Sequence, residues 1–472
     1  MVQRTKIVAT LGPASDSKTM MTALVKAGVD VFRLNFSHAS QEYHAKNITK
    51  IRAIAQKKGN AIGVLADIQG PKIRLGKLED GMCVLKKGRK VTLTTKAVLG
   101  SEEMLTIDYA ELPEVVTKGL IILLSEGAVK LRVDAKRKGT VQCTVTRGGW
   151  IKERQGVNIV GLKRAQAMTE KDKKDIRFAI KQDVDMFALS FIRSAEDVRI
   201  FKRHIKKYKG NQLIIAKIEK PEAVKALKEI LAEVDGVMVA RGDLGVEGKL
   251  EDVPVWQKRI IREANDAGKV VITATQMLES MIESTLPTRA EVTDVANAIF
   301  DGSCAVMLSG ETAVGKYPEK TVSAMRRIIH SAENSKEIEY YSRKFVGDDS
   351  VTSAITHAAI DAAQKAHIKA IICFTLSGST AMMISKQRPR VPIIALTPHK
   401  KTFNRMSLLW GVTPVLTKLG TNTARIIDYG EKEILSRRLL KKGDTAIFVF
   451  GGIKELGGTN QVKIMRIGGG AL

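Results

Sequence analysis

Eight apolar runs of strand length recur along the chain, and they limit its possible folds more than any other feature. Most of the intervening stretches have the spacing of amphipathic helices, for example SKTMMTALVKAGV and PEAVKALKEILAEV. Strands that are apolar on both faces and alternate with helices indicate a parallel sheet covered by those helices. Eight such units predict an α/β fold closed into a (β/α)8 TIM barrel. The runs are KIVATL, VFRLNF, IGVLAD, DMFALSF, LIIAKI, GVMVAR, VVITAT and AVMLSG.

Two further units interrupt and follow this pattern. After the third run, short pieces with turn glycines, such as GRKVTLTT and GTVQCTVTRGG, predict a small antiparallel β domain, a β-barrel inserted where it can act as a lid. Helix and strand patterns resume in SVTSAITHAAIDAAQKAHIKAIICFTLSG and predict a C-terminal α/β domain. The predicted domains are the catalytic barrel at 1–70 and 160–345, the lid at 71–159 and the C-terminal, regulatory domain at 346–472.

Composition excludes several classes of protein. The N-terminal residues MVQRTKIVATLGPAS lack the features of a secretory signal, and no apolar run approaches 18 residues, so we expect a cytoplasmic protein without a membrane partner. The net charge of +27 favours anionic partners, but the basic residues are spread along the chain and mostly indicate solvated surfaces. Four separated cysteines without a C-x-x-C pair predict free thiols.

Polar side chains follow most of the eight runs. One polar residue at a strand end is commonly a helix cap, but the C-terminal ends of barrel strands meet at one mouth, where catalytic groups lie. Seven such ends therefore favour an active site. The residues are Arg33, Asn35, Ser37, His38, Asp67, Ser190, Arg193, Lys217, Glu219, Arg241, Asp243, Thr275, Ser309 and Glu311.

The types of these side chains indicate phosphate chemistry. Glu219 and Asp243 supply two carboxylates from adjacent strands, which suit a divalent ion that keeps several waters. The nearby cations, Arg33, Lys217, Arg241 and Arg74, suit a multiply charged phosphate. Because no Walker loop or protein-kinase glycine loop is present, a phosphoryl-transfer site would have to be built on the barrel itself.

Nine segments carry a resemblance to a known family. They are KIVATLGPAS, VFRLNFSHAS, ADIQGPKIRLG, DVDMFALSFIR, AKIEKPEAV, DGVMVARGDLGVE, ITATQMLESMI, PTRAEVTDVANA and VMLSGETAVGKYP. Through them the chain resembles the pyruvate kinases over essentially its full length. The resemblance implies a cytoplasmic glycolytic phosphotransferase, commonly a homotetramer, that uses Mg²⁺ or Mn²⁺ to move the phosphoryl group of phosphoenolpyruvate to ADP.

The resemblance also implies roles for individual positions. Lys217 would stabilise the phosphoryl group during transfer, Glu219 and Asp243 would ligate Mg²⁺, and Thr275 with Ser309 would belong to the proton path. The implied residues are, for catalysis, Lys217, Thr275, Arg33 and Ser309; for substrate, Arg33, Ala240, Arg241, Gly242, Asp243 and Thr275; for nucleotide, Asn35, His38 and Arg74; and for a possible K⁺ ion, Asn35, Ser37, Asp67 and Ile68.

Several positions depart from the family pattern. Lys72 stands in GPKIR where members that depend on K⁺ carry glutamate, so we expect K⁺ independence, with the tethered ammonium replacing the ion. The alternative is a site that still holds an ion, since Asn35, Ser37 and Asp67, which match the K⁺ ligands, remain. Gln155 replaces a common lysine that contacts nucleotide, and the usual D-D-G of the lid reads Ser125, Glu126, Gly127. We therefore expect weaker nucleotide affinity.

A cluster of hydroxyls in the C-terminal unit precedes a predicted helix. Such a cluster is either an anion cradle or an ordinary helix cap. The resemblance favours a site for a sugar-phosphate effector, completed by the loop GGIKELGGTNQ. The residues are Thr375, Ser377, Gly378, Ser379 and Thr380.

Two other functions fit parts of the sequence. A barrel lyase acting on pyruvate-like acids would share the fold and the two carboxylates, but it would not need Arg33, His38 and Arg74 or a lid of this size. Nucleic-acid binding would fit the net charge of +27 and would show a steep salt dependence.

Overall fold

The computed structural model describes residues 3–125, 127–137, 139–161, 167–338, 350–418, 420, 422–451 and 458–471. Its strands follow the apolar runs. They are β1 (Lys6–Thr10), β2 (Val31–Asn35), β3 (Gly63–Ile68), β4 (Met82–Leu85), β5 (Lys90–Thr94), β6 (Met104–Thr106), β7 (Ile121–Leu124), β8 (Val129–Arg137), β9 (Thr140–Arg147), β10 (Gly149–Lys152), β11 (Val157–Ile159), β12 (Met186–Leu189), β13 (Leu213–Ile218), β14 (Gly236–Ala240), β15 (Val270–Ala274), β16 (Ala305–Leu308), β17 (Ala370–Phe374), β18 (Ile393–Thr397), β19 (Val412–Leu416), β20 (Thr445–Gly451), β21 (Thr459–Arg466) and β22 (Gly470–Ala471).

Helices lie between most of these strands, and several begin at residues typical of helix starts. Thr169 and Thr288 each form a reciprocal capping box with the acidic residue three positions later. The helices are α1 (Lys18–Ala27), α2 (Gln41–Lys58), α3 (Leu112–Val115), α4 (Glu170–Lys181), α5 (Ala195–Lys207), α6 (Pro221–Lys225), α7 (Leu227–Glu233), α8 (Arg241–Glu247), α9 (Val253–Asp266), α10 (Arg289–Phe300), α11 (Gly310–Ala313), α12 (Pro318–Asn334), α13 (Val351–Lys365), α14 (Ser379–Lys386), α15 (Lys400–Arg405) and α16 (Thr423–Ser436), with short 3₁₀ helices at Leu250–Asp252, Glu279–Ile282 and Met406–Leu408.

The predicted TIM barrel is confirmed. Strands β1, β2, β3, β12, β13, β14, β15 and β16 close into a barrel in which every neighbouring pair is parallel. One large apolar cluster lies between the strands and the surrounding helices, and a second fills the barrel interior. Because all eight strands point the same way, their C-terminal ends share one mouth.

Aspartates just before three barrel strands tie neighbouring strands together at the other end. Asp30, Asp185 and Asp235 accept the backbone amides of Ile7, Val64 and Ile214 at 2.9, 2.8 and 2.8 Å. Burial raises the pKa of Asp30 and of Asp185 in spite of the cations beside them. These carboxylates therefore serve the closure of the barrel and lie away from its mouth.

The inserted lid contains two sheets that share one apolar core. A six-stranded sheet has the order β11-β7-β8-β9-β5-β6, and β4 pairs with β10 in a second, two-stranded sheet. The pairing is antiparallel as predicted, except that β5 and β6 are parallel. The exception arises because the chain between these strands crosses over instead of forming a tight hairpin.

The C-terminal unit has its own sheet, as predicted, with the order β19-β18-β17-β20-β21-β22. Its core is continuous with the residues inside the barrel. Lys6 donates to the carbonyl oxygen of Val412 at 2.9 Å, and Lys386 donates to Asn265 Oδ1 at 3.2 Å. Because Lys6 begins β1, the unit packs against the end of the barrel opposite the mouth.

The cysteines and the lengths of the helices are two further features of the described residues. All four cysteines are free thiols as predicted, with Cys143, Cys304 and Cys373 buried and Cys83 half-buried. Among the helices described, none is both long and apolar enough to cross a bilayer. The domain boundaries at residues 71, 160 and 346 stay predictions, and residues 339–349 around the last of them lie outside the described part.

Candidate active site

Five of the polar side chains that follow the apolar runs meet at the barrel mouth. Lys217, in β13, donates to Ser190 Oγ at 2.9 Å and lies 2.7 Å from Glu219 Oε1 and 3.4 Å from Asp67 Oδ1. On the other side of Asp67, Arg33 Nε donates to Oδ2 at 2.7 Å. The strand ends β2, β3, β12 and β13 thus contribute to one buried network of alternating charges.

The charges in this network stabilise one another. Burial acts to raise the pKa of Asp67, but the ammonium of Lys217 and the guanidinium of Arg33 outweigh it and hold that pKa below its usual range. Burial likewise acts to lower the pKa of Lys217, and the carboxylates of Asp67, Glu219 and Asp243 reverse the effect and raise it. Lys217 therefore stays a full cation although its side chain is only 11% exposed.

Glu219 and Asp243 are two carboxylates whose charges repel each other. Burial, together with the charge of Asp243, raises the pKa of Glu219 to about 7. The ammonium of Lys217 and the backbone amide of Phe191, which donates to Glu219 Oε2 at 2.7 Å, oppose this rise but do not cancel it. No group of three or more His, Cys, Asp or Glu side chains in the described part of the chain could hold a metal alone. Two carboxylates that repel each other fit a hard divalent ion whose remaining ligands are waters and substrate oxygens.

Thr275 lies in a loop with unusual backbone angles directly after β15. Its φ of +67° and that of Gln276, +52°, are in the left-handed region that non-glycine residues rarely adopt. Thr275 Oγ1 accepts the amide of Gly242 at 2.9 Å and donates to the carbonyl of Ala274 at 2.6 Å. The structure thus brings Thr275 against the segment that contains Ala240 and Asp243, as the predicted site requires.

Arg241 differs from its sequence interpretation as a phosphate-facing cation. Its guanidinium donates to Asp294 at 2.6 and 2.7 Å and to the carbonyl oxygens of Ala274 and Thr275 at 3.2 and 2.6 Å. These bonds direct the charge toward α10 and hold the Thr275 loop in its left-handed conformation. The side chain therefore braces the loop, although Arg241 also lines the cleft.

Ser309 is held by Glu311, a residue that the sequence marks only as one of the polar groups at a strand end. The buried carboxylate of Glu311 accepts the amides of Ser309 at 2.6 Å and of Leu278 at 3.2 Å. It thereby joins the loop after β16 to the loop after β15, which carries Thr275. Ser190, for which the sequence predicts no role beyond its place at a strand end, contacts Lys217 directly and donates to the carbonyl of Ile68 at 2.7 Å.

The predicted nucleotide and K⁺ positions lie at the ends of β2 and β3 and at the start of the lid. Asn35 Oδ1 accepts the amide of Ser37 at 3.1 Å, and the amide of His38 donates to the carbonyl of Asn35 at 3.1 Å. Burial and the positive charges of Arg74 and Lys72 lower the pKa of His38, so the imidazole is neutral at pH 7. The positive charge of Lys72 therefore acts electrostatically on the turn that contains the predicted ligands Asn35, Ser37 and His38.

A cleft of about 1550 Å³ separates the lid from the barrel mouth. Gln155, within the lid, does not present a free carboxamide oxygen, because Oε1 accepts Ser125 Oγ at 2.6 Å and the amide of Lys152 at 2.9 Å. Glu126 lies outside the described residues. The cleft lining includes Lys72, Lys130 and Arg147 from the lid and Asp243, Thr275 and Ser309 from the barrel.

The predicted effector residues form a compact turn at the start of the helix Ser379–Lys386. Gly378, with φ of +97°, donates its amide to Thr375 Oγ1 at 2.8 Å, and Ser377 Oγ donates to Ser379 Oγ at 3.1 Å. Thr380 Oγ1 is 2.7 Å from Thr459 Oγ1, at the end of the loop expected to complete the site. Residues 452–457 of that loop lie outside the described part.

Comparisons with known proteins agree along the whole chain. The family model described as "Pyruvate kinase, barrel domain" matches residues 2–322, and "Pyruvate kinase, alpha/beta domain" matches residues 353–465. The pyruvate kinase of Thermotoga maritima is 41% identical over 467 residues, 99% of this chain and 100% of the relative. That of Staphylococcus epidermidis is 42% identical, over 99% and 81% of the two chains. A solved pyruvate kinase from Cryptosporidium parvum has a TM-score of 0.89 and 37% identity, over 98% and 96%.

The positive charge of Lys72 contributes to the lowered pKa of His38. We predict that Lys72→Glu raises the pKa of His38, because a nearby cation that disfavours the imidazolium becomes an anion that favours it. An NMR titration of the His38 ring measures the change. Lys152→Glu, which makes the same charge change on an exposed strand of the lid, is the matched control. An equal shift in both variants, or none in either, would contradict a local effect of Lys72.

Proposed function

The chain belongs to the pyruvate kinase family, and we propose from that premise how its own residues carry out the reaction. It is a phosphotransferase that moves the phosphoryl group of phosphoenolpyruvate to ADP, giving ATP and pyruvate. The observation that carries the assignment of roles is the buried ammonium of Lys217, held between Asp67 and Glu219 at the barrel mouth. The family as a whole is metal-dependent.

Glu219 and Asp243 are the residues that would hold the metal, Mg²⁺ or Mn²⁺. Support comes from their mutual repulsion, since the pKa of Glu219 is raised to about 7 by burial and by Asp243. A divalent ion bound there supplies positive charge to the oxygens of both substrates. Phosphoenolpyruvate binds against the segment from Ala240 to Asp243 and against Thr275, which already share a hydrogen bond of 2.9 Å.

Lys217 and Arg33 neutralise the charge that develops on the phosphoryl group as it moves between oxygens. Both are cations fixed by Asp67, so their positions cost little reorganisation during the reaction. Thr275 and Ser309 then relay a proton from water in the cleft to the methylene carbon of enolpyruvate, whose enolate oxygen becomes the carbonyl oxygen of pyruvate. Support for that path is their place at the ends of neighbouring strands, joined through Glu311.

ADP binds between the lid and the barrel, against Asn35, His38 and Arg74. A neutral His38 suits this role, because it can donate or accept a hydrogen bond without adding charge. Lys72 takes the place of a K⁺ ion near Asn35, Ser37, Asp67 and Ile68. Support for this substitution is the action of its ammonium on the turn after β2 and the hydrogen bonds that already engage Asn35 Oδ1 and the carbonyl of Ile68.

The remaining features implied by the family are also proposals. The turn Thr375–Thr380 binds a sugar phosphate, the enzyme assembles as a homotetramer, and it works in the cytoplasm. The hydroxyls and amides gathered at residues 375–380 support the first of these. A sugar phosphate that changed neither the activity nor the melting temperature would return the turn to the role of a helix cap.

Pyruvate formation from phosphoenolpyruvate and ADP with Mg²⁺, measured with and without K⁺, tests the proposed function. We expect equal turnover in both conditions, because Lys72 carries the monovalent charge in every molecule. Turnover only with K⁺ would keep the reaction and contradict the role of Lys72. A folded protein without turnover in either condition would contradict the proposed function and favour the lyase or nucleic-acid binding instead.

We predict that Lys217→Met leaves the protein folded and lowers kcat by about 10²-fold or more, the scale of losing one preorganised charge at a reacting group. Circular dichroism measures the fold and a lactate dehydrogenase-coupled assay measures turnover. Lys228→Met, on the exposed face of α7, is the matched control and keeps kcat. A kcat for Lys217→Met within threefold of the parent would contradict the role.

We predict that Gln155→Lys lowers the KM for ADP by about fivefold, since a charge pair near solvent contributes about 1 kcal/mol. The same substitution removes the acceptor for Ser125 Oγ, so Gln155→Met, which loses that bond without adding charge, serves as control. Initial rates over a range of ADP concentrations measure both. A KM that falls equally in the two variants would mean that charge is not the cause.

A further inference from the structure

One buried carboxylate joins three segments that meet at the edge of the cleft. Glu247, the last residue of α8, accepts Asn158 Nδ2 at 3.0 Å and the ammonium of Lys220 at 2.8 Å, both at Oε1. Its side chain is only 4% exposed. A carboxylate this buried needs both partners, because a charge that loses its hydrogen bonds away from water is costly.

Each of the three segments has a place in the proposed reaction. Asn158 lies in β11, the last strand of the lid, which pairs with β7. Lys220 follows Glu219 directly, and Glu247 ends the short helix that contains Asp243. The carboxylate of Glu247 therefore connects the lid with the two loops that carry the proposed metal ligands.

Two further contacts support this connection. Lys220 Nζ lies 5.8 Å from the ring centroid of Phe191, whose amide donates to Glu219 Oε2. At the tip of the lid, a methyl group on Gly127 would lie 3.8 Å from Val246 Cγ1, one residue before Glu247. The lid thus approaches α8 at two points, and one of them is a polar bond to a buried charge.

We propose that Glu247 is a positioning residue that couples the lid to the metal-carboxylate loops. The proposal rests on the proposed function, in which ADP binds beneath the lid. Glu219 and Asp243 would hold a divalent ion, and the bridge through Lys220 and Glu247 connects their order to Asn158, which holds β11 over the cleft. Without Asn158 the lid loses this connection, although both carboxylates remain in place.

The first measurement separates the lid from the chemistry. We expect Asn158→Ala to raise the KM for ADP about tenfold, the scale of a lost hydrogen bond to a charged group, with kcat within twofold. Gln142→Ala is the matched control, since it removes a side-chain amide from β9, three strands from β11 in the same sheet, and keeps the KM. An unchanged KM in a folded Asn158→Ala protein overturns the proposal.

The second measurement does not depend on turnover. Mn²⁺ alone, without nucleotide, should slow hydrogen exchange of the β11 amides in the parent and in Gln142→Ala, and this protection should be lost in Asn158→Ala. Protection that persists in Asn158→Ala overturns the coupling even if the KM rises. A parent that makes no pyruvate but gains Mn²⁺-dependent protection of β11, with that protection lost in Asn158→Ala, refutes the proposed function and leaves the coupling standing.

Two more substitutions keep the test open if Asn158→Ala fails to fold. Asn158→Asp is nearly isosteric and places a second carboxylate against Glu247, so it should reproduce both effects without a cavity. Glu247→Gln retains an oxygen that accepts from Asn158, and we expect its KM for ADP to lie between those of the parent and Asn158→Asp. A Glu247→Gln protein with a KM above that of Asn158→Asp would contradict the role of the shared oxygen.

Discussion

The structure around the mouth depends on the burial of one ammonium among carboxylates. Lys217 is kept charged by Asp67, Glu219 and Asp243, and Asp67 in turn is kept charged by Lys217 and Arg33. None of these groups could be buried alone, because an isolated charge in a protein interior is strongly unfavourable. The barrel solves this by delivering the charges from separate strands to one place, so its closure is a condition for the chemistry.

Much of the barrel could be predicted because its strands are apolar on both faces and their polar ends fall at one edge. Directions of long side chains could not be predicted. Arg241 reads as one more cation at a strand end, but its partner Asp294 comes from α10, much further along the chain, and only the folded structure shows that the guanidinium faces it. The parallel pairing of β5 with β6 is similar, since residue patterns within strands contain no information about which strands become neighbours.

Two departures in the lid prove to be one contact. In sequence, Gln155 stands where the family pattern has a lysine, Ser125 stands where it has the first aspartate of D-D-G, and the lost cation predicts weaker nucleotide affinity. In the structure the two side chains are joined by a hydrogen bond of 2.6 Å, so a neutral pair holds a turn where the family pattern has opposite charges. The φ of +49° at Ser125 makes this support necessary, since that conformation is unfavourable for a residue with a side chain.

The two ends of the barrel are held in different ways. At the base, Lys386 donates to Asn265 and lies 3.3 Å from Cys304 Sγ. Burial acts to raise the pKa of the Cys304 thiol, but the positive charges of Lys386 and Arg388 outweigh it and lower that pKa. Buried apolar residues of both units, including Cys304, form one continuous cluster here, so the two units share a core at the base. The lid has an apolar core of its own and meets α8 through the polar bond at Glu247 and the approach of Gly127 to Val246. The bond between Asn158 and Glu247 is therefore the polar link through which a movement of the lid would reach the carboxylates.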